Sequence, residues 1–450
     1  MKKYFVFVMA ALCMGFAACS DEDEKEKGNI GGNDDGKEEV VPSVTIDGLT
    51  ENNSVIQFDT LYLKATIKDF SKVVNYKWIV NGEEVAAVNS YKFTKRKTGD
   101  YKISLAVSGE DGKTYQVEKS VAVVGKFGKG SFILNEGNMG NETGSLTFVD
   151  EKGVALDSAY YRVNGTLLGN VCQDMFISSG KMYIISQNGA KNGGEGMLSI
   201  AKADNLEKIE VYSNSTLSWP SHIAVVGDDI YIRDGNGICL LKATTKVLTR
   251  IKDAKAAKNR MVVIGDKVFA MNGKDILVLQ NGTVVKTITM PGTLSGIAKS
   301  YDGQLWASCT TNPAQFLKIN SSDYSIMDSH ELGSTKIAAG GASPAFSAVK
   351  DTLYFRNTGF ELYRHIYKEN KTEFVANIKE LVPNAGMYYN SLGVNPVNGE
   401  VYFATLKGYG MDYKINDIAI FNFSKNPFLQ HDFKSMNSFP AGVYFTYNFE

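Results

Sequence analysis

Apolar and polar residues alternate in short runs along most of the chain, and this pattern predicts a protein built mainly from β-strands. The first runs lie within residues 42–124 and have the period of two typical of half-buried strands, at residues 61–67, 76–80 and 101–107. Two of them are followed by dipeptides that favour tight hairpins, Asn81-Gly82 and Asp111-Gly112. We therefore expect a β-sandwich over residues 42–124, with Trp78 in its core.

Residues 125–450 contain a repeat, in which a short turn, usually with Gly or Asp, precedes an apolar residue and then an aromatic residue. We call these aromatic residues the anchors: Phe132, Tyr183, Tyr231, Phe269, Trp306, Tyr354 and Tyr402. They recur every 37 to 51 residues, about the length of one four-stranded propeller blade. A second apolar strand precedes most anchors, but Phe132 has none, and the matching run lies at residues 440–445. We therefore predict an all-β protein whose seven-bladed propeller is closed by the C-terminal strand.

Strand direction alternates within a blade, so the loops after the anchor strands and those before the preceding strands share one face. These loops are rich in Asn, Gly and aromatic residues, a composition that suits a large, neutral, polar ligand. The candidate ligand-binding residues are Asn135, Asn138, Asn188, Trp219, Arg260, Tyr388, Tyr389, Tyr409 and Tyr413. Asn also favours turns for conformational reasons alone, so the aromatic residues are the better candidates. Arg233 and Arg356, each two residues beyond an anchor, could bind the ligand or equally form ion pairs between blades.

Composition narrows the possible functions. The chain has 48 Lys and Arg, 49 Asp and Glu and a net charge of −1, which indicates no nucleic-acid partner. The four His are scattered without metal-ligand spacing, and neither a nucleophile elbow nor a phosphate-binding loop is present. We therefore expect no metal, cofactor or enzymatic activity, although carboxylates from separate blades could still form a catalytic pair. Three cysteines of the folded part should be buried free thiols: Cys172, Cys239 and Cys309.

The N-terminus has the features of a secretory signal peptide over residues 1–18. Lys2 and Lys3 precede an apolar stretch that ends in small residues before Cys19. The segment 21–39 contains nine acidic and three basic residues, too polar to fold, so residues 19–41 should be a solvated tether. In the simplest interpretation, this is an ordinary secretory signal and Cys19 is present by chance.

Several segments resemble known families. Phe16-Ala17-Ala18-Cys19 resembles a bacterial lipobox, and the acidic run after it resembles the export signal of surface lipoproteins in Bacteroides-type bacteria. The resemblance implies that Cys19 is lipidated and anchors the protein to the outer membrane at the cell surface. The pattern around Trp78 and Asp111-Gly112 resembles PKD/Ig-like modules, which are usually spacers.

The repeat itself resembles YncE/YVTN-type propellers of Bacteroides-type lipoproteins, notably in Leu134-Asn135-Glu136-Gly137-Asn138 and in residues 393–402. Relatives in that group capture cobalamin and pass it to a TonB-dependent outer-membrane transporter. The resemblance therefore implies a corrinoid-binding lipoprotein with such a transporter as partner. The alternatives are a glycan-binding lipoprotein of a polysaccharide-uptake system, a propeller lyase or hydrolase, and a structural or adhesive surface protein.

Overall fold

The computed structural model describes residues 42–70, 72–436 and 438–447. The predicted signal peptide, Cys19 and the acidic tether lie outside these residues. The first eight strands are β1 (Ser43–Asp47), β2 (Ser54–Ile56), β3 (Leu61–Lys68), β4 (Val73–Val80), β5 (Glu83–Ala86), β6 (Ser90–Phe93), β7 (Gly99–Gly109) and β8 (Thr114–Val124). They form a three-stranded sheet, β1-β3-β6, and a five-stranded sheet, β2-β8-β7-β4-β5, which share one hydrophobic core. Trp78 is fully buried there, and its indole N–H donates to the carbonyl of Val88 at 2.9 Å.

Seven four-stranded sheets, which we number I to VII, follow in the described part of the chain. Sheet I contains β9 (Gly130–Asn135), β10 (Ser145–Asp150), β11 (Ala155–Leu156) and β36 (Pro440–Phe445). Sheet II contains β12 (Cys172–Ser178), β13 (Lys181–Ser186), β14 (Leu198–Lys202) and β15 (Lys208–Tyr212). Sheet III contains β16 (His222–Val226), β17 (Asp229–Asp234), β18 (Gly237–Lys242) and β19 (Leu248–Arg250). Sheet IV contains β20 (Val262–Ile264), β21 (Lys267–Asn272), β22 (Asp275–Gln280) and β23 (Thr283–Thr289).

The remaining three sheets repeat this arrangement. Sheet V contains β24 (Leu294–Lys299), β25 (Leu305–Cys309), β26 (Gln315–Ile319) and β27 (Ile326–Glu331). Sheet VI contains β28 (Phe346–Val349), β29 (Thr352–Arg356), β30 (Glu361–Ile366) and β31 (Lys371–Asn377). Sheet VII contains β32 (Met387–Val394), β33 (Val401–Leu406), β34 (Asn416–Phe421) and β35 (Leu429–Lys434). Two short α-helices, α1 (Ala159–Asn164) and α2 (Ile378–Leu381), connect sheets I with II and VI with VII.

The seven sheets form a closed ring. In sheet I, β36 occupies the position that the first strand has in the other sheets, and β9 occupies that of the second strand. Numbered in this way, the first strand of each sheet contacts the first strand of the next, in the order β12, β16, β20, β24, β28, β32 and β36, and β36 contacts β12. Antiparallel four-stranded sheets arranged radially in this way form a β-propeller. No helix among the described residues is long and apolar enough to span a membrane.

Each anchor lies on the second strand of its sheet and is at most 8% exposed. Both faces of these strands are covered by neighbouring sheets, so apolar residues occupy consecutive positions, as in Met182–Ile185. Burying each large apolar side chain stabilises the fold by about 1.5–3 kcal/mol. The three cysteines are buried and free, as predicted.

The ring is closed by pairing between the two ends of the repeat. Strand β36 lies antiparallel to β9, with Val443 opposite Ile133 and Tyr444 opposite Phe132. The hydroxyl of Thr446 accepts a hydrogen bond from the Gly130 N–H at 2.8 Å. The C-terminal strand therefore completes the sheet of the first anchor, as the sequence predicted.

The sandwich contacts the turn between β14 and β15. Gln57 Nε2 donates to the carbonyl of Asn205 at 3.2 Å, and Asn205 Nδ2 donates to Thr98 Oγ1 at 2.8 Å. This turn also contacts the turn that joins β12 to β13, since the Ala203 N–H donates to the Gly180 carbonyl at 2.9 Å. Both turns lie on the opposite side of the ring from the loops that follow the second strands. The sandwich therefore docks on the side opposite the candidate ligand face.

Candidate functional site

One end of the ring is surrounded by the loops that precede the first strands and follow the second strands of the sheets. We call this end the mouth. Its loops are residues 135–141, 187–192, 218–221, 256–260, 340–343, 386–390, 406–413 and 438–439. Because strands alternate in direction, these loops meet even where they are far apart in sequence.

The floor of the mouth is formed by the loop 340–343, which crosses toward other sheets. His222 Nε2–H donates to the carbonyl of Ala342 at 2.6 Å, and Asn259 Nδ2 donates to that of Gly341 at 3.1 Å. A Cβ atom on Gly340 would lie 2.2 Å from the Ser295 carbonyl oxygen, so only glycine fits there. The sequence analysis missed this loop, because Gly and Ala carry no chemical signal.

A cavity of about 510 Å³ lies beside this floor, a size typical of small-molecule sites. Its lining includes Lys258, Asn259 and Asn390 together with the backbone of Gly341 and Ala342. The cavity therefore combines a cationic group, two amides and the backbone of the floor loop.

Asp174, Tyr444 and Arg260 join three sheets beneath the mouth. Tyr444 O–H donates to Asp174 Oδ1 at 2.7 Å, and Arg260 Nε lies 3.7 Å from the same oxygen. The Arg260 guanidinium also stacks 4.2 Å above the Tyr444 ring. Burial raises the pKa of Asp174 to about 6, against the positive charge of Arg260 and the hydrogen bonds it accepts. Asp174 is the one acid in the apolar strand β12, and this sequence signal for the cluster was missed.

His222 is held neutral by its surroundings. Burial, followed by the positive charges of Arg260, Lys258 and Arg233, lowers the pKa of His222 to about 3. Its Nε2 donates to a carbonyl, so Nδ1 must accept, and Ser221 Oγ lies 3.0 Å away as the donor. Arg233 Nη1 donates to the same hydroxyl at 3.1 Å. His222 therefore organises the floor and is not available as a charged group at neutral pH.

Aromatic side chains form a rim on one side of the mouth, centred on Phe439. The Tyr413 ring stacks on Phe439 at 4.8 Å between centroids, and Tyr389 and Tyr409 lie at 5.2 and 6.4 Å. Tyr389 O–H donates to Glu136 Oε2 at 2.7 Å. Burial raises the pKa of Glu136, and this hydrogen bond partly offsets the effect. The sequence analysis did not identify Phe439, although Phe439-Pro440 has the same aromatic–proline pattern as Trp219-Pro220.

The candidate aromatic residues differ in accessibility. Trp219 is 63% exposed and Tyr409 is 65% exposed, so both can contact a ligand directly. Tyr388 and Tyr389 are half-buried. Tyr413, which the sequence analysis placed among exposed loop aromatics, is only 6% exposed, and its O–H donates to Glu142 Oε1 at 3.1 Å. Tyr413 supports the rim instead of presenting a free face.

The candidate asparagines hold the loops of sheets I and II together. Asn135 is fully buried, and its Nδ2 donates to Thr147 Oγ1 at 3.1 Å, so a ligand cannot reach it without rearrangement. The carbonyl of Asn138 accepts from Asn170 Nδ2 at 3.0 Å. Asn188 Nδ2 donates to Asn170 Oδ1 at 2.7 Å. The conformational interpretation of these asparagines fits their positions, and Asn170 was missed.

Arg233 and Arg356 both lie at the mouth, and neither forms an ion pair among the residues that the structure describes. Arg233 Nε donates to the carbonyl of Ala256 at 3.2 Å. The Arg356 guanidinium stacks 3.8 Å above the ring of Tyr388, a cation–π contact. The alternative of ion pairs between blades therefore does not describe these two arginines.

Comparison with known proteins gives the fold and the family. No curated protein matches this sequence. The chain is similar to the solved structure of a Quinonprotein alcohol dehydrogenase-like protein from Bacteroides thetaiotaomicron, with a TM-score of 0.55 and 16% identity over 90% of this chain and 99% of that one. At this identity the similarity concerns the fold alone.

Further solved structures match with TM-scores below 0.5. Dihydro-heme d1 dehydrogenase NirN in complex with DHE has a TM-score of 0.43 and 12% identity over 71% of this chain and 76% of that one. The β-propeller domain of Cps50 (Swd1) from Myceliophteria thermophila has a TM-score of 0.42 and 9% identity over 58% of this chain and 86% of that one.

The whole ring, from the first strand of sheet I to the closing strand, corresponds to one sequence family. Residues 129–446 match the family described as "Domain of unknown function (DUF5074)". Since this match covers more than half of the chain, the protein belongs to the DUF5074 family, and its ring of four-stranded sheets is the part that defines membership.

Proposed function

We propose that this protein is a cell-surface lipoprotein of the outer membrane that binds a large polar ligand at the mouth and delivers it to a TonB-dependent transporter. A corrinoid such as cobalamin is the leading candidate for this ligand, and the protein–corrinoid complex delivers it to the transporter. The observation that carries the proposal is the exposure of two aromatic side chains, Trp219 and Tyr409, on loops of the same mouth whose floor loop borders the cavity. Broad rigid aromatic surfaces next to amides suit a flat ligand with a polar edge.

The proposal includes a finer assignment of the architecture. The seven sheets are the blades of a YncE/YVTN-type propeller, and the sandwich over residues 42–124 is a PKD-like spacer. The ring of contacts between first strands supports the blade count, and the two packed sheets with Trp78 at their centre support the sandwich assignment.

The position of the sandwich supports a surface orientation. The sandwich docks through Gln57 and Thr98 on the side of the ring opposite the mouth. With lipid on Cys19 and residues 19–41 as a tether, the sandwich lies between the membrane and the ring. The mouth then faces the outside, where it meets ligand and a transporter partner.

Retention of cyanocobalamin tests the proposal. The purified protein is mixed with cyanocobalamin, desalted and examined for the absorbance of the bound corrinoid. We expect retention with sub-micromolar affinity, weakened in Trp219→Ala and unchanged in Tyr301→Ala, an exposed aromatic on the turn between β24 and β25 at the other end of the ring. Loss of all colour on desalting would refute the corrinoid assignment.

A glycan is the second candidate, because the aromatic rim also suits sugar rings. Phe439 and Tyr409 present adjacent ring faces, and Asn390 lines the cavity close by. Calorimetric titration with neutral and acidic oligosaccharides distinguishes the two candidates. A glycan that binds where cyanocobalamin does not would assign the protein to polysaccharide uptake.

A further inference from the structure

We propose that the mouth contains a subsite for an anionic group of the ligand, a phosphodiester or a carboxylate, formed by Arg233, Lys258, Arg260 and Arg356. This inference deepens the proposed function and rests on it, because it assigns a chemical class to part of the ligand. Sequence analysis had predicted a neutral ligand.

The four cations converge from three different sheets. Arg233, on sheet III, is hydrogen-bonded to the Ala256 carbonyl and therefore lies along the loop that carries Lys258 and Arg260 into sheet IV. Arg233 Nη1 also donates to Ser221 Oγ at 3.1 Å, and this hydroxyl lies 3.0 Å from His222 Nδ1. Arg356, on sheet VI, stacks 3.8 Å above the ring of Tyr388, two residues before Asn390, which lines the cavity with Lys258. His222 donates to the Ala342 carbonyl, which belongs to the same cavity lining, so the cations lie around the floor of the mouth.

These charges exceed the acids available to balance them. Among the described residues, Arg233, Lys258 and Arg356 have no carboxylate within ion-pair distance. The acid whose charge raises the pKa of Arg233 is Asp234. Arg250 Nη2 already forms an ion pair with Asp234 Oδ2 at 2.7 Å. The arginine of sheet VI that lies away from the mouth, Arg364, also has its own carboxylate, on Glu373 at 2.8 Å. Arg250 and Arg364 are therefore each paired with a carboxylate, whereas Arg233 and Arg356 are not.

The two acids near the cluster are poor counter-ions. Burial raises the pKa of Glu136 and that of Asp174, so the charged form of each is disfavoured. Both carboxylate oxygens of Asp174 also accept hydrogen bonds, from the Tyr444 O–H at 2.7 Å and from the Ile223 N–H at 3.0 Å. Even with both acids ionised, four cations face two carboxylates, and the region remains positive.

Holding a buried cation away from water without a carboxylate partner is unfavourable, and an anionic group of the ligand would remove this cost. Arg233 is half-buried, its guanidinium donates to the neutral oxygens of Ala256 and Ser221, and burial lowers its pKa. Yet the Lys258 side chain remains accessible and lines the cavity. Guanidinium groups bind phosphate and carboxylate oxygens through paired N–H donors. An anionic group at the mouth that contacts Lys258 and these arginines would therefore gain charge-assisted hydrogen bonds.

Two ligand sources share this chemistry, the phosphodiester of a corrinoid and the carboxylate of a uronic-acid glycan. The test uses calorimetric titration of the purified protein with inorganic phosphate, cyanocobalamin and oligogalacturonate, each at low and high salt. Lys258→Gln and Arg356→Gln remove one charge each, and Lys258→Arg retains it. The matched control is Lys299→Gln, an exposed lysine at the end of β24, beside the turn to β25 at the other end of the ring.

We expect phosphate and one of the two larger probes to bind the wild type, more weakly at high salt. Each charge-removing variant should lose about tenfold in affinity, while Lys258→Arg and Lys299→Gln keep it. Unchanged melting temperatures would show that the variants fold. Equal binding of cyanocobalamin to all variants, without salt dependence, would overturn the anionic subsite and leave the proposed function standing. Binding of phosphate and oligogalacturonate that depends on Lys258, without cyanocobalamin binding, would support the subsite and overturn the corrinoid assignment.

Discussion

Trp219 and Phe439 occupy equivalent positions in two sheets at the mouth, each immediately before a proline and each with a positive φ, of 52° and 58°. Bulky side chains rarely adopt this left-handed conformation, which costs about 1–3 kcal/mol. The same strained geometry at two aromatic positions directs both rings toward one end of the ring of sheets. Strain of this kind is concentrated at functional sites, which supports a binding role for the mouth.

Trp219→Gly should separate strain from binding. Glycine adopts a positive φ freely, so relief of about 1 kcal/mol offsets the chain entropy that glycine adds, and the free energy of unfolding should not fall. Binding of cyanocobalamin should weaken by about tenfold because the aromatic surface is lost. Chemical denaturation and titration measure the two effects. A large loss of stability would mean that Trp219 packs in the core.

Tyr409→Ala and Tyr413→Ala should have opposite consequences. Tyr409 is 65% exposed, so its loss should weaken ligand binding and leave the melting temperature nearly unchanged. Tyr413 is 6% exposed, stacks on Phe439 and donates to Glu142, so its loss should lower stability by about 2–4 kcal/mol. Thermal unfolding followed by circular dichroism measures the difference. Equal melting of the two variants would contradict this division of the rim.

Deleting residues 440–450 should strongly destabilise the ring. The deletion removes β36, exposes the edge of β9 and uncovers the buried Val443 site between sheets I and VII. We expect aggregation or a melting transition lowered by well over 10 °C, since several kcal/mol of packing are lost. A truncated protein that melts at the native temperature would refute closure by the C-terminal strand.

Asp417→Asn should stabilise the protein at high pH. Burial and the neighbouring carboxylate of Asp432 raise the pKa of Asp417, so the folded state binds its proton more tightly than the unfolded state does. The stability contributed by this proton is present below the ordinary Asp pKa of about 4 and is lost as pH rises through the raised pKa. Denaturation midpoints should therefore favour the variant at pH 8, by roughly 1–2 kcal/mol, and show no gain near pH 4.

Asp302→Asn is the control with the opposite sign. Burial opposes the charge of Asp302, but the hydrogen bond and charge of Lys318, 2.5 Å away, outweigh it and lower the pKa. Its contribution is present above the ordinary Asp pKa and is lost as pH falls through the lowered value. The variant should be slightly less stable than the wild type at pH 8. The same pH dependence for both variants would refute the assignment of these shifts.

Gly340→Ala should disturb the floor of the mouth. The new Cβ would lie 2.2 Å from a backbone oxygen of Ser295, which cannot move as a side chain can, so we expect a loss of about 1–3 kcal/mol and weaker ligand binding. Gly128→Ala, where nothing lies within 4 Å of the new atom, is the matched control and should be neutral. Equal stability of the two variants would show that the floor loop is free to shift.

The parts of the fold that repeat were predictable from sequence, and the site was predictable only in part. The anchors and the pairing of β36 with β9 follow from apolar periodicity, because every sheet must bury the same positions. Exposed aromatics such as Trp219 were also recognisable, since turn chemistry does not explain them. Tyr413 has the same sequence context as Tyr409, and only the stacking on Phe439 separates their roles.

The cationic character of the mouth could not be derived in the same way. Arg233, Lys258 and Arg356 come from loops and strand ends of separate sheets, and only the closed ring places all three at its mouth. Net charge gave no indication, because surface acids elsewhere balance these cations in the total. The acid of β12, Asp174, is the one local signal, since a carboxylate within an apolar strand requires a partner.

The pairing of β9 with β36 also determines when the molecule can be complete. Gly130 and Thr446 are 316 residues apart and hydrogen-bonded, so the first sheet is complete only after β36 has been synthesised. Until then β9 has an open edge, to which another chain could add as a strand. Loop closure over this distance makes the final step slow and concentrates the risk of aggregation in that interval. Chaperones that cover strand edges would therefore protect this protein most before β36 emerges.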